Sequence, residues 1–230
     1  MLTGHLVIDG LKIPFKKIPE ESLRLLRDGY YENLEIQLIE KHLPNKVFVL
    51  ELGTSIGIVS CHILKKQPVR LLTFEPVKKW AIIARQIVAL NFESAPIEVV
   101  EISIGQKNQK EAILQCAAEN NLLGRITGST GVNTITVPSI SLFDLNKMYA
   151  VPYNAWLVMD IEGMEWDIAK NQLDDLKGYK GIIVECHEVV DGFRTISASE
   201  VLEAFICAGF KLAEKAVQGN QLIAVLIRIE

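Results

Sequence analysis

The chain has 230 residues, 49% of them hydrophobic, so it is long enough to bury one sizeable core and reads as a single structural domain. A net charge of -4 offers no electrostatic footprint for a phosphate backbone, so nucleic acid is not an expected partner. There is no apolar run of about 18 residues and no basic stretch leading into an apolar one at the start, so neither membrane nor secretory routing is expected, and the location expected is cytoplasmic.

In chain order, Asp9-Gly10 between two short apolar runs predicts a two-residue hairpin. Helices are expected over 20–27 and 33–42, the second ending before Pro44. Residues 1–45 thus read as a hairpin and helical cap in front of a core spanning 46–230. Val47, Phe48, Val49 and Leu50 are apolar without alternation, which fits a strand over 47–51 covered on both faces, as in a parallel sheet. Gly53 and Gly57 then permit a tight turn into a helix over 58–64. In doubly wound α/β folds ligands sit outside the carboxyl ends of the strands, which places this loop where a cofactor would lie.

A second strand, 70–76, stops at Pro76, and a helix follows over 78–91. "IEVVEISIG", 97–105, reads as a third strand. Across 106–154 the pattern weakens to short strands at 110–119 and 133–142 around a Gly/Ser/Thr-rich loop, 124–133, a candidate substrate-facing insertion. Strands are again expected over 155–163 and 181–188, and a helix over 198–208. Two last runs around a Gly219-Asn220 turn predict an antiparallel hairpin at the sheet edge. Cys61, Cys116, Cys186 and Cys207 lie in apolar segments without Cys-x-x-Cys spacing and are expected to be buried free thiols.

The loop Glu51-x-Gly53-x-x-x-Gly57 has Ser55 where a dinucleotide fingerprint would carry its middle glycine. Glu75, at the mouth of the second strand, can accept both hydroxyls of a ribose, a role found in NAD sites and in S-adenosylmethionine sites alike. The antiparallel hairpin after five parallel strands favours the methyltransferase version of the sheet. An NAD-dependent oxidoreductase is the alternative.

The motifs "GYYENLE", "ELGTSIG", "TFEP", "EISIG", "SISLFDL", "MDIEGMEWDI" and "IIVECHE", in this order, resemble the FkbM-type S-adenosylmethionine-dependent methyltransferases over most of the chain. The resemblance implies a Rossmann-like class I methyltransferase fold: a mostly parallel seven-stranded sheet with helices on both faces and a C-terminal antiparallel hairpin. It also implies S-adenosylmethionine as cofactor, bound by Glu51, Gly53, Thr54, Ser55, Gly57, Glu75, Pro76, Ser103 and Ile104. The implied reaction is methyl transfer to a hydroxyl of a small molecule or sugar. Ser55 stands where the family usually has Asn, and Val158 where a Lys is frequent, which keeps open a non-catalytic cofactor-binding protein. Families that methylate nucleobases carry Asn/Asp-Pro-Pro-Tyr where this chain has Asp160-Ile161-Glu162-Gly163.

Transfer from a sulfonium needs positioning of the acceptor oxygen and removal of its proton. Asp160, Glu162 and His187 are the candidate catalytic residues, with Glu165 and Glu185 near them and His187 as the natural general base, since its ordinary pKa is near neutrality. Tyr30, Tyr31 and Glu32 are expected to approach cofactor or acceptor, and Glu185 to face the substrate. The same oxygens and imidazole could hold Mg²⁺, but their spacing is not metal-specific and no metal is expected.

Overall fold

The computed structural model describes residues 4–116, 124–127 and 133–229. It opens with a hairpin of β1 (Leu6–Ile8) and β2 (Leu11–Ile13), whose turn residues Asp9 and Gly10 both have positive φ, 49° and 74°, as a type I′ turn requires. Helices α1 (Glu20–Asp28) and α2 (Asn33–His42) follow. The first half of the main sheet alternates β3 (Phe48–Leu52), α3 (Ile58–Lys65), β4 (Arg70–Phe74), α4 (Lys78–Asn91) and β5 (Ile97–Val100). Next come β6 (Ser103–Ile104), β7 (Glu111–Cys116), β8 (Gly124–Thr127), β9 (Thr134–Ile140) and α5 (Leu142–Met148). The second half holds β10 (Ala155–Met159), α6 (Met164–Asn171), β11 (Tyr179–Cys186), the small hairpin β12 (Val189–Asp191) and β13 (Arg194–Ile196), α7 (Ala198–Cys207), β14 (Phe210–Gln218) and β15 (Gln221–Arg228).

Seven strands form one sheet in the spatial order β14-β15-β11-β10-β3-β4-β5. β11, β10, β3, β4 and β5 run parallel, while β15 is antiparallel to both β11 and β14. Both faces are covered, and the side chains show it. Phe48, Leu50 and Leu52 of β3 join a core with α5, α6 and α7, while Val49 joins the opposite core with α1 to α4 and the N-terminal hairpin. Leu11, Ile13, Leu23 and Leu38 thus share a core with Ile63, Ile87 and Val158. No helix among the described residues is long and apolar enough to cross a membrane.

Several expectations are corrected. The third strand does not run on to residue 105: the ladder with β4 ends at Phe74 opposite Val100, because the chain leaves the sheet at Glu75-Pro76. The backbone at Ser103–Ile104 then pairs with β9 in a second, four-stranded sheet of order β6-β9-β7-β8, since unpaired strand amides need a new partner. The loop expected at 124–133 begins as β8, while 128–132 lie outside the described residues. The run expected as strand up to residue 142 turns helical at α5, where Ser141 accepts the amide of Asp144 as N-cap. Cys61 and Cys186 are buried free thiols as expected, but Cys207 is exposed; the side chain of Cys116 lies outside the description.

Candidate active site

The chain runs from β3 outward through β4 to β5, then returns to place β10 on the other side of β3. Such a reversal leaves a crevice at the carboxyl ends of the two central strands, the usual ligand position of open α/β sheets. A cleft of about 350 Å³ lies there. Among the residues anticipated from sequence it is lined by Gly53, Ser55, Glu75, Pro76, Ser103, Ile104, Asp160 and Glu162, with Tyr30, Tyr31 and Glu32 closing it from the α1–α2 turn. Sequence reasoning missed Glu21, Ser22 and Leu25 of α1, Ile102, Leu114 of the second sheet, and Gln221. Apart from Ile102, inside the motif 101–105, none of these lies in a quoted motif; they reach the cleft only through tertiary packing.

The two glycines do different things. At Gly53, φ is 94° and an added Cβ would stand 1.8 Å from the carbonyl oxygen of Asp160, so glycine lets the mouths of β3 and β10 close together. At Gly57, φ is 84° and a Cβ would stand 2.9 Å from Ala84 Cβ, so this glycine packs α3 against α4 and sits away from the cleft lining. Thr54 is buried too, its hydroxyl bonded to that of Thr73.

Glu75 is held by the backbone. Its Oε2 accepts the Ser55 amide at 2.9 Å and its Oε1 the Val77 amide at 2.8 Å, which fixes both oxygens while leaving each a further acceptor direction. Burial pushes its pKa up to about 7 despite those two amides. Across the loop, the Tyr31 hydroxyl is 3.1 Å from Ser55 Oγ, tying the α1–α2 turn to the cofactor loop.

Glu51, expected among the cofactor-binding residues, points instead into the core beneath α3. Its Oε2 accepts the Ser60 hydroxyl at 2.5 Å, and its buried Oε1 has no hydrogen-bond partner among the described residues. Its register neighbour on β10 is Val158, so where a lysine would stand opposite it there is a hydrocarbon. Burial raises its pKa to about 7. Glu35, on the buried face of α2 with Leu38 and Ile39, is a further buried acid, held well above its ordinary pKa by burial and by Glu32 and Asp160. An acid at the helical spacing of two apolar residues was the available signal, and it was missed.

The acids after β10 do converge on His187. Its Nε2 lies 3.6 Å from Asp160 Oδ1, 3.8 Å from Glu162 Oε2 and 3.6 Å from Glu185 Oε1, and its Nδ1 lies 3.3 Å from Glu165 Oε1. Burial alone would lower the imidazole, but the hydrogen bond and charge of Glu165, with Asp160 and Glu162, outweigh it and hold His187 at about 10. This corrects its reading as a base poised at neutrality, because the surrounding acids favour the protonated ring. Glu165 is wholly buried and accepts the amides of Ile161 and Gly163, each at 2.8 Å, so it braces the turn that presents Asp160 and Glu162. Burial, then Glu185 and Glu162, push Glu32 up to about 7, and burial with Glu32 and Glu185 holds Asp160 well above its usual range. A carboxyl raised to about 7, as Glu32 is, can take and release a proton near neutrality.

No family model matches the chain, and no curated protein matches it. Solved structures do. A ribosomal protein L11 methylase from Lactobacillus delbrueckii subsp. bulgaricus is 14% identical, with a TM-score of 0.50 over 86% of this chain and 78% of that one. An rRNA methylase from Streptococcus thermophilus is 6% identical, with a TM-score of 0.52 over 86% of this chain and 96% of that one. A protein of the NADB-Rossmann superfamily from Streptococcus agalactiae is 11% identical, with a TM-score of 0.51 over 84% of this chain and 67% of that one. Likeness at such identities is likeness of fold, and together with the strand order and the antiparallel C-terminal hairpin it gives this chain the Rossmann-like fold of the class I methyltransferases.

Proposed function

We propose that the protein is an S-adenosylmethionine-dependent methyltransferase acting on a hydroxyl group of a small molecule or sugar. The observation that carries this reading is one cleft, at the switch point of a methyltransferase-type sheet, lined by the backbone-held carboxylate of Glu75 and by Asp160, one of whose buried oxygens has no hydrogen-bond partner among the described residues. The group fits these residues. Glu75 presents two oriented acceptors for a ribose diol, Asp160 offers an anion toward a sulfonium or ammonium, and about 350 Å³ suits a ligand of that size. The FkbM-type motifs agree with this assignment of Gly53, Ser55, Glu75, Pro76, Ser103 and Ile104.

When bound, the cofactor supplies a methyl group on a cationic sulfur, which an acceptor oxygen displaces in line. The chain positions that oxygen and takes its proton. Glu32, Asp160 and Glu162 line the cleft, and Glu32, raised to about 7, suits a general base near neutral pH. His187 orients these carboxyls from behind, with Glu165 fixing its ring. Residues 1–45 act in this reading as a cap, with Tyr31 and Glu32 closing over cofactor and acceptor.

Two of the structural neighbours are an rRNA methylase and a methylase of a ribosomal protein. The lining of this cleft favours neither RNA nor another polyanion. It includes Glu21, Glu32, Glu75, Asp160 and Glu162 but no Lys or Arg among the described residues, so a phosphate backbone would be repelled. The test is to incubate the protein and cofactor with hydroxylated small molecules and sugars, and in parallel with rRNA, and to measure S-adenosylhomocysteine released. Turnover on a hydroxylated small molecule supports the reading. Turnover confined to RNA would replace it.

A further inference from the structure

The acid cluster holds more charge than the methyl-transfer reading uses. One carboxylate oxygen from each of Glu32, Asp160 and Glu185 lies within 4.8 Å of the other two. The three come from separate elements: Glu32 is the N-cap of α2, held at a φ of 49°, Asp160 follows β10, and Glu185 is in β11. Bringing three acids together from across the fold repels unless they hold protons or something positive sits between them. His187 does not suffice. Its one ring faces Asp160, Glu162, Glu165 and Glu185 at 3.3 to 3.8 Å, one nitrogen is taken by Glu165, and Glu32 adds a fifth acid.

A second, independent observation points to a ligand. Glu185 is only 5% exposed, and among the described residues neither its buried Oε2 nor Asp160 Oδ1 has a hydrogen-bond partner. Buried carboxylate oxygens are ordinarily satisfied, and two orphans in one three-acid group are an unfilled coordination demand.

We propose that Glu32, Asp160 and Glu185 form a binding site for one hard divalent cation, Mg²⁺ or Mn²⁺. Three carboxylate oxygens are hard ligands that suit these ions and leave octahedral positions open to water or another oxygen. Oxygens about 2.1 Å from an octahedral ion stand roughly 3 to 4.2 Å apart, a spacing the group reaches by small side-chain adjustments. Because Glu32 belongs to the turn that also carries Tyr31, the ion would draw that turn onto the strand mouths. One consequence rests on the reading above: the open positions would hold and acidify the hydroxyl of the acceptor.

The test uses Mn²⁺ as probe, followed by electron paramagnetic resonance, with Mg²⁺ as competitor and no cofactor present. The site predicts one saturable Mn²⁺ per chain that Mg²⁺ displaces. Glu32→Gln and Glu185→Gln should each weaken it by roughly tenfold or more, because affinity follows the charge count of the ligands, while Glu98→Gln, paired with Arg70 at the surface, should leave it unchanged. Thermal unfolding checks the variants' folding: the parent should melt higher with Mn²⁺ and the two folded variants should not. A spectrum that stays that of the free hydrated ion at all protein concentrations would overturn the proposal, as would parent-like binding in both variants. S-adenosylhomocysteine affinity, measured separately without metal, reports on the cofactor site and keeps its failure distinct.

Discussion

Glu75 is doubly committed, to the backbone of its own loop and, in the proposed function, to the ribose of the cofactor. Hydrogen bonds to a charged acceptor contribute about 1.5–3 kcal/mol each, so Glu75→Ala should weaken S-adenosylhomocysteine binding by roughly one to two orders of magnitude or more. Glu75→Gln keeps one oxygen acceptor but turns an amide NH₂ toward a backbone N–H, either of Ser55 or of Val77, and should fall between. Calorimetry on the three proteins checks the order, and equal affinities would remove Glu75 from the cofactor site. The same residue shapes the pH dependence of stability. Glu51 and Glu75 are raised from an ordinary 4.5 to about 7, chiefly by burial, so between those values the folded chain holds protons that the unfolded chain has released. The stabilising contribution is therefore complete below about 4.5 and is lost as pH rises through about 7. Each group contributes on the order of 3 kcal/mol over that span. The melting temperature of the ligand-free protein should fall from pH 5 to pH 8, and Glu51→Gln should flatten the profile. A melting temperature that rises across this window in the parent would show that these acids are ionised in the fold.

Among the elements, α3 and the loop before it divide the work between two glycines. Gly57→Ala forces a methyl to 2.9 Å from Ala84 Cβ, across the α3–α4 contact. It should cost about 1–3 kcal/mol of stability through overpacking while leaving cofactor affinity near the parent's. Gly53→Ala drives its methyl into the backbone of Asp160, which cannot give way without parting β3 from β10, and should lose both stability and binding. Chemical denaturation and calorimetry on the two variants separate the roles, and a Gly57→Ala protein of parent stability that no longer binds cofactor would reverse them. The regular elements were legible in sequence because each declared itself locally: α4 at 78–91 and α2 at 33–42 have the predicted bounds, and the turns Asp9-Gly10 and Gly219-Asn220 closed the predicted hairpins. What was not legible depended on partners. β5 and β6 read as one strand because only the departure of β4 at Glu75-Pro76 divides them. The β12–β13 hairpin, three residues per strand, is too short to show a period.

At the scale of the whole molecule, the sheet order makes the site. The glycine loop after β3 and the acids after β10 lie more than a hundred residues apart in sequence, yet pairing β10 beside β3 sets Gly53 against Asp160. The alternation of β3 shows why the sequence named that neighbourhood but misjudged some of its members. Glu51 lies on the same face as Val49 and so turns under α3, away from the cleft whose cofactor it was expected to bind. His187 was recognised by type, but its state follows from four acids that only folding assembles. The central claim is that the cleft takes S-adenosylmethionine and not a nicotinamide dinucleotide, although Glu75 could serve a ribose of either. Calorimetric titration of the purified protein with each cofactor tests this most directly. The account predicts one saturable site for S-adenosylmethionine, weakened in Glu75→Ala, and no saturable heat with NAD. Saturable NAD binding that depends on Glu75, with none for S-adenosylmethionine, would contradict it.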